Sequence, residues 1–198
     1  FREMEKVFTE YTYVESICFY NSDNLSLIAD KEQNILINDK DSRGRFYEEQ
    51  IAGKGNGAGN GVKWYGGYIN SDFNIKALKD ENRKEVYYVS ACRPVYWGAH
   101  TAWLVININL DYFTDIYNSL EKENIQLSTT YIIDENGKVV SHLDKSEVGK
   151  RRENQYIRNK NDGPFTFEEG DQQILCYPLH LNGWTMVNET PLSVILKD

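Results

Sequence analysis

With 198 residues, 40% hydrophobic and 13% aromatic, the chain can bury one sizeable core or two small ones, which excludes wholesale disorder. A net charge of −8 argues against a nucleic-acid backbone or an anionic membrane face as the main partner. No stretch approaches the ~20 apolar residues of a membrane span, and Cys18, Cys92 and Cys176 form no CxxC pair and fit no zinc spacing.

Phe1, Met4, Phe8 and Tyr11 recur at helical spacing, which predicts the end of a helix over residues 1–12. Strands are expected at 14–20 and 25–29, a third at 35–38, and a short helical segment at 43–52. From Gly53 to Gly61 a glycine stands at every second position. That segment lacks the GxxxxGK(S/T) pattern of a phosphate-binding loop, so the expectation is a mobile connector able to act as a lid. Residues 62–70 read as an aromatic strand, and 85–96 with 101–109 as a hairpin. Leu110, Phe113, Ile116, Tyr117 and Leu120 then mark one face of a helix.

The second half opens near residue 128. Asn136-Gly137 between apolar runs predicts a tight primed turn, and further strands are expected near 164–169, 172–179 and 183–189. Thr190-Pro191 predicts a helix start, with Thr190 as N-cap and Pro191 first in the helix. A chain that begins and ends within helical patterns is expected to be cut from a longer protein. The three cysteines, each in an expected strand, read as small buried hydrophobes.

The two halves repeat a pattern. Val86 to Pro94 followed by Trp103 to Asn107 is echoed by Gln173 to Pro178 followed by Trp184 to Asn188. Each reads strand, Cys-x-Pro, turn, Trp-led strand, Asn, helix, which sets Asn107 against Asn188. The openings match as well: residues 17–28 and 131–141 are each a strand, an Asx-rich turn and a second strand. Two copies of one small α+β module follow, each a mainly antiparallel sheet with a helix on one face.

His100, His142 and His180 are scattered, and none has a partner at metal-ligand spacing, so neither metal nor cofactor is expected. No nucleophile elbow is present, and the carboxylates are spread over loops and helix faces, so no enzyme is expected. The one concentration is aromatic: Phe46, Tyr47, Trp64, Tyr65, Tyr68, Tyr87, Tyr88, Tyr96 and Trp97, interleaved with Arg45, Asn70, Ser90 and Asn107. Aromatic walls with a few fixed polar groups suit a small-molecule pocket. The plainer alternative is a set of half-buried strand aromatics. In the second half, Tyr131, Phe165, Phe167, Tyr177 and Trp184 are spaced like core positions.

Residues 131–142, Val148-Gly149 and 183–187 resemble the membrane-proximal half of double Cache sensor domains. Phe46-Tyr47, Trp64, residues 68–70, Ser90 to Pro94 and residues 103–110 resemble the membrane-distal half. The resemblance, greatest to input domains of sensor histidine kinases from Gram-positive bacteria, implies two tandem PAS-like modules joined by a long N-terminal helix. Their expected bounds are 1–124 and 125–198. It further implies a place on the extracellular face of a bacterial membrane, with anchoring helices outside this sequence and homodimerisation through the N-terminal helix.

The resemblance also implies that a small polar ligand sits in the first module, against Arg45, Phe46, Tyr47, Trp64, Tyr68, Asn70, Tyr88, Ser90 and Asn107. The amino-acid-binding branch carries Arg-x-Trp-Tyr and a strand Asp. Here Gly44 stands at that Arg, between Arg43 and Arg45, Phe46 replaces the Trp, and Asn107 replaces the Asp. A neutral amide cannot offset a buried ammonium, so standard α-amino acids are expected to bind weakly or not at all. Two rivals stay open: a ligand-free module sensing a partner protein, and a secreted enzyme, for which no catalytic set is found. The output could equally be a chemoreceptor or a cyclic-dinucleotide enzyme.

Overall fold

Alternation of apolar and polar residues draws each half of the chain into an antiparallel sheet, as a computed structural model of the protein shows. Residues 2–21, 25–31, 34–38, 43–52, 61–73, 85–98, 100–112, 114–115, 128–157, 163–180 and 182–196 are described. Helix α1 (Arg2–Glu10) precedes strands β1 (Val14–Asn21), β2 (Leu25–Asp30) and β3 (Asn34–Asn38). The short helix α2 (Arg45–Gln50) leads to β4 (Lys63–Ile69), β5 (Tyr87–Trp97) and β6 (His100–Asn109). The second half contributes β7 (Thr129–Ile133), β8 (Val139–Ser141), β9 (Phe165–Glu169), β10 (Gln172–Pro178), β11 (Thr185–Pro191) and the one-turn helix α3 (Leu192–Ile195).

The expected duplication is visible as topology. The first sheet runs β3-β2-β1-β6-β5-β4 and the second β8-β7-β11-β10-β9. Without the edge strand β3, both have the same order, 2-1-5-4-3 when strands are numbered within each half. The fold is α+β, with two antiparallel sheets and a few short helices. The chain divides into two compact units, 1–110 and 111–198. The expected boundary at 124/125 lies outside the described residues, as do the glycine-rich stretch 53–60 and most of the helix expected after Leu110, which is seen at 110–112 and 114–115.

Each unit has its own core. In the first, Cys18, Tyr20, Ile28, Tyr88, Cys92 and Val105 of the sheet pack with Phe46 and Ile51 of the α2 region and with Phe73. In the second, Tyr131, Ile133, Val139, Tyr156, Phe165, Ile174, Cys176 and Val187 cluster. All three cysteines are buried, and none forms a disulfide.

Three details differ from the sequence reading. The β7–β8 connection is not a primed two-residue turn. Asp134 Oδ1 accepts from the backbone N–H groups of Asn136 and Lys138, each at 2.9 Å, and Gly137 N–H returns to the Asp134 carbonyl at 3.0 Å. In this turn only Gly137 is left-handed (φ 78°), and a Cβ there would meet the Arg152 carbonyl oxygen at 3.0 Å. The Asp134 side chain therefore sets a longer turn closed by a left-handed glycine.

Secondly, Thr190 and Pro191 remain in β11, opposite Gln173 and Gln172, because the ladder to β10 runs to the end of that strand. The helix opens one residue later, at Leu192, whose N–H bonds the Asp171 carbonyl at 2.8 Å. Thirdly, the repeat is offset by one residue after its turn. Cys92 pairs with Val105 and Cys176 with Val187. Glu189, two residues beyond Val187, thus matches Asn107, and Asn188 falls on the opposite face.

Candidate functional site

Direct pairing across the first sheet decides which side chains share a face. Ser16, Asn107 and Ser90 lie opposite one another on β1, β6 and β5, as do Cys18, Val105 and Cys92. Tyr88 joins this face two residues from Ser90. On β4, Tyr65 pairs with Ser90 and Tyr68 with Tyr88, with a bulge between Gly66 and Tyr68. The two tyrosines are three positions apart, so a regular strand would point them to opposite faces. The extra residue, with Gly67 at φ 73°, brings both to the inner face.

Phe46 of α2 confirms this placement. Its ring meets Tyr65 edge-on at 5.5 Å and Tyr68 at 5.0 Å, and it stacks on Phe73 at 4.6 Å. Phe46 is completely buried. Phe73 is itself tied to the sheet by the Tyr20 hydroxyl, which donates to its carbonyl at 2.8 Å. Tyr47, half-buried, tilts against Tyr20 at 5.2 Å.

The polar centre of the face is a closed chain. Ser90 Oγ donates to Asn107 Oδ1 at 2.7 Å, and Asn107 Nδ2 donates to Ser16 Oγ at 2.8 Å and, weakly, to Cys18 Sγ at 3.7 Å. Asn107 and Ser90 are fully buried, so these bonds satisfy an amide and hydroxyls that water cannot reach. Burial also pushes the Cys18 thiol up to about 12, which keeps it protonated and unreactive.

The remaining expected residues stand around this centre. Tyr68 hydroxyl accepts from Gln50 Nε2 at 2.7 Å and donates to Glu49 at 2.8 Å; burial, with the Glu49 bond next, raises its pKa, so it stays a donor. Arg45 forks onto Asp72 through Nε at 2.8 Å and Nη2 at 2.6 Å, and lies 5.1 Å from the Tyr68 ring centre. Its bond to Asp72 is the main cause of its raised pKa. Asn70, the first residue of the 3-10 turn after β4, accepts through Oδ1 from Ser71 N–H at 3.1 Å and from Val86 N–H at 3.4 Å.

Trp64 is the exception. It pairs with Ala91, which puts it on the face opposite Tyr65, Tyr68, Ser90 and Asn107. The structure thus brings Phe46, Tyr47, Tyr68, Tyr88, Ser90 and Asn107 to one face, holds Arg45 and Asn70 at its margin, and turns Trp64 away.

Residues outside the ligand set that the resemblance implied complete the face: Tyr65 and Arg43, both noted in the sequence, and Phe73 and Ser16, which were not. The Gly66-Gly67 doublet was the available signal for a bulge that turns Tyr65 inward. Arg43 lies over the Tyr47 ring at 4.2 Å, bonds the Tyr47 hydroxyl, and donates through Nη2 to the Asn21 carbonyl at 2.8 Å. Its buried Nε has no hydrogen-bond partner among the described residues.

A family model described as a Cache domain, in its double form, matches residues 2–198, and the chain belongs to that family. Cache domains are non-catalytic input modules. No curated protein matches. Among solved structures, the extracellular domain of vpHK1S-Z8, described as a histidine kinase, is 12% identical with TM-score 0.61, covering 100% of this chain and 78% of that one. The periplasmic sensory domain of the Campylobacter jejuni chemoreceptor Tlp1 is 12% identical with TM-score 0.64, covering 98% and 78%. The ligand-binding domain of the Pseudomonas aeruginosa amino-acid chemoreceptor PctC, solved with GABA, is 16% identical with TM-score 0.58, covering 95% and 78%. These likenesses are of fold. Among the described residues no helix is long and apolar enough to cross a membrane.

Proposed function

We propose that this chain is the extracellular input domain of a bacterial transmembrane signalling protein, of the sensor histidine kinase kind, and that it binds a small polar molecule on the inner face of the first sheet. The observation that carries this reading is the buried Ser90–Asn107–Ser16 chain beneath the aromatic cluster of α2 and β4. It offers fixed polar partners inside an apolar wall. Phe46, Tyr47, Tyr68, Tyr88, Ser90 and Asn107 face the ligand, and Tyr65 joins them. Arg45 acts through Asp72 and Asn70 through the turn, as positioning residues. Arg43 supplies the nearby cation, its unpartnered Nε ready for an acceptor atom of the ligand.

A ligand shifts the signalling equilibrium only by its differential affinity for the two states. Opening a place for it requires Phe46 and the α2 region to move relative to the sheet, and that displacement is the signal. Flanking helices carry it to the membrane, and a homodimer is the assembly that would transmit it. One observation favours a second reading, a module sensing a partner protein: Phe46 already fills the centre of the face.

Thermal-shift assays against sugars, carboxylates, purines, amines and amino acids separate the two. A ligand at ~100 times its Kd adds ~2.7 kcal/mol, a rise of roughly 5–10 °C for this size. A hit lost in Asn107→Ala but kept in Trp64→Ala supports the inner face. A hit lost only in Trp64→Ala would overturn it, and silence across the panel would point to a protein partner.

A further inference from the structure

The outermost strand of a sheet leaves one side of its backbone unpaired, and such an edge draws in a further strand unless something blunts it. Three of the four edges here are blunted. β4 is broken by the bulge at Gly66–Tyr68. β8 is only three residues long and is covered by the segment after it: Val139 N–H donates to the Lys150 carbonyl and Gly149 N–H to the Val139 carbonyl, each at 2.8 Å. β9 ends in two charges, Glu168 and Glu169. β3 has none of these devices. Its five residues contain no charge, proline or glycine, and among the described residues they pair only with β2, in an unbroken register. It is also the strand with no counterpart in the second sheet.

The sequence of β3 says what fits it. Asn34-Ile35-Leu36-Ile37-Asn38 reads the same in both directions. A two-fold axis through Leu36 sets this strand antiparallel to its own copy. Leu36 then meets its counterpart, Ile35 falls opposite Ile37, and Asn34 falls opposite Asn38. No apolar position faces a polar one and no charges meet, and β-branched pairs are favourable across antiparallel strands. Pairing about a two-fold also closes on itself. Each copy uses its one open edge, so the product is a dimer and not a fibre.

The register with β2 places the faces. Ile35 lies opposite Ile28 and Ile37 opposite Ser26, positions of the inner face, while Leu36 lies opposite Leu27 on the outer one. The axis stands perpendicular to the sheet, so the inner faces of both copies fall on the same side. We infer that β3 is a docking edge for a second copy of this chain, the two six-stranded sheets joining antiparallel about Leu36 into one. This interface needs neither α1 nor a ligand. On the ligand reading above, it links the two ligand faces through one continuous backbone ladder.

Sedimentation velocity of this chain from about 1 μM to about 1 mM spans the range in which so short a ladder associates. The expected result is a monomer that passes to a dimer and no further. Leu36→Lys, which sets two like charges opposite each other at the axis, should weaken that dimer about tenfold or more. An unchanged melting curve shows that the variant is folded.

Disulfide capture reads the register. The native cysteines are buried and form no disulfide, so introduced thiols report alone. Opposed Cα atoms of an antiparallel pair lie ~4.5–5.5 Å apart, within disulfide reach. Leu36→Cys should therefore crosslink to its own copy on mild oxidation. Asn34→Cys and Asn38→Cys should each stay uncrosslinked alone, because roughly 13 Å of strand then separates the thiols, and should crosslink when mixed. A chain monomeric throughout the range, a dimer indifferent to Leu36→Lys, or crosslinking by Asn34→Cys alone would overturn the inference. The thermal panel reads the ligand site separately, so either proposal can fail without the other.

Discussion

Asn107 and Glu189 occupy the same position in the two sheets, each two residues past a valine that faces a cysteine across the hairpin. One is a neutral amide enclosed by Ser90 and Ser16; the other is a carboxylate beside Tyr131 and Arg152. The duplicated module therefore places a neutral amide in one unit and a carboxylate in the other at one structural address.

Asn107→Asp tests the first of these environments. The substitution removes the amide donor to Ser16 and puts a formal charge where water is absent. A cost of about 1–3 kcal/mol follows, which lowers Tm by roughly 2–10 °C for a chain of this length. The same change supplies the charge an ammonium needs, so calorimetry should show standard amino acids binding Asn107→Asp more tightly than the parent. Micromolar binding of an ordinary amino acid by the parent would sink the argument.

The β4 bulge yields a sharper result. Gly67 is left-handed at φ 73°, and any side chain there costs about 1–2 kcal/mol. Gly67→Ala should lower Tm by a few degrees and leave ligand selectivity intact. Deleting Gly67 should do more, because it restores strict alternation and turns Tyr65 away from Ser90 if Tyr68 keeps its place. Ligand hits from the thermal panel should then disappear even where the deletion variant melts cooperatively.

Asp72 is the hub that holds the end of β4. It accepts both Arg45 nitrogens and, at 2.9 Å, the Ile69 N–H. Arg45 is half exposed, so solvent screens part of the pair. Asp72→Asn should cost about 1–2 kcal/mol, mainly by leaving a forked guanidinium facing an amide. Arg45→Lys should recover less than the parent fork, since an ammonium cannot bond both oxygens in parallel. Urea melts that leave Asp72→Asn equal to the parent would contradict this.

Much of this arrangement was legible in the sequence because it rests on period-two burial. The strand positions, the two-module repeat and the inward set Tyr88, Ser90 and Asn107 all follow from alternation along uninterrupted strands. What was not legible depends on single-residue offsets. The bulge at Gly66–Tyr68 makes Tyr65 an inner residue and leaves Trp64 on the other face. A one-residue difference after the Cys-x-Pro turn replaces Asn188 by Glu189 at the repeated site. Asp134 overrides the Asn136-Gly137 signal by binding two backbone N–H groups, a competition that turn propensities alone do not resolve.

The second unit carries a pH response of its own. His142 is buried against the Tyr131 ring at 5.3 Å; its Nδ1 accepts from the Asp144 N–H at 2.9 Å when bare, and lies 3.1 Å from the Asp144 carbonyl oxygen, to which it donates when protonated. Burial is the larger influence and lowers its pKa below the ordinary 6.5, against the opposing pull of the Asp144 backbone and of Glu147. Unfolded, the same imidazole takes up a proton near pH 6.5. Between that value and the folded pKa the unfolded chain binds more protons, so stability rises with pH there. The contribution is complete above 6.5 and fades as pH falls toward the folded value. Asp144 and Glu147, held below their ordinary 3.8 and 4.5 by Ser146 and Lys150 respectively, act only at lower pH and do not blur this window. Melting curves from pH 7.5 to 5 should therefore show Tm falling on acidification. His142→Asn, whose Oδ1 can accept the Asp144 N–H without titrating, should flatten that fall. Equal slopes for parent and variant would show that His142 does not carry it.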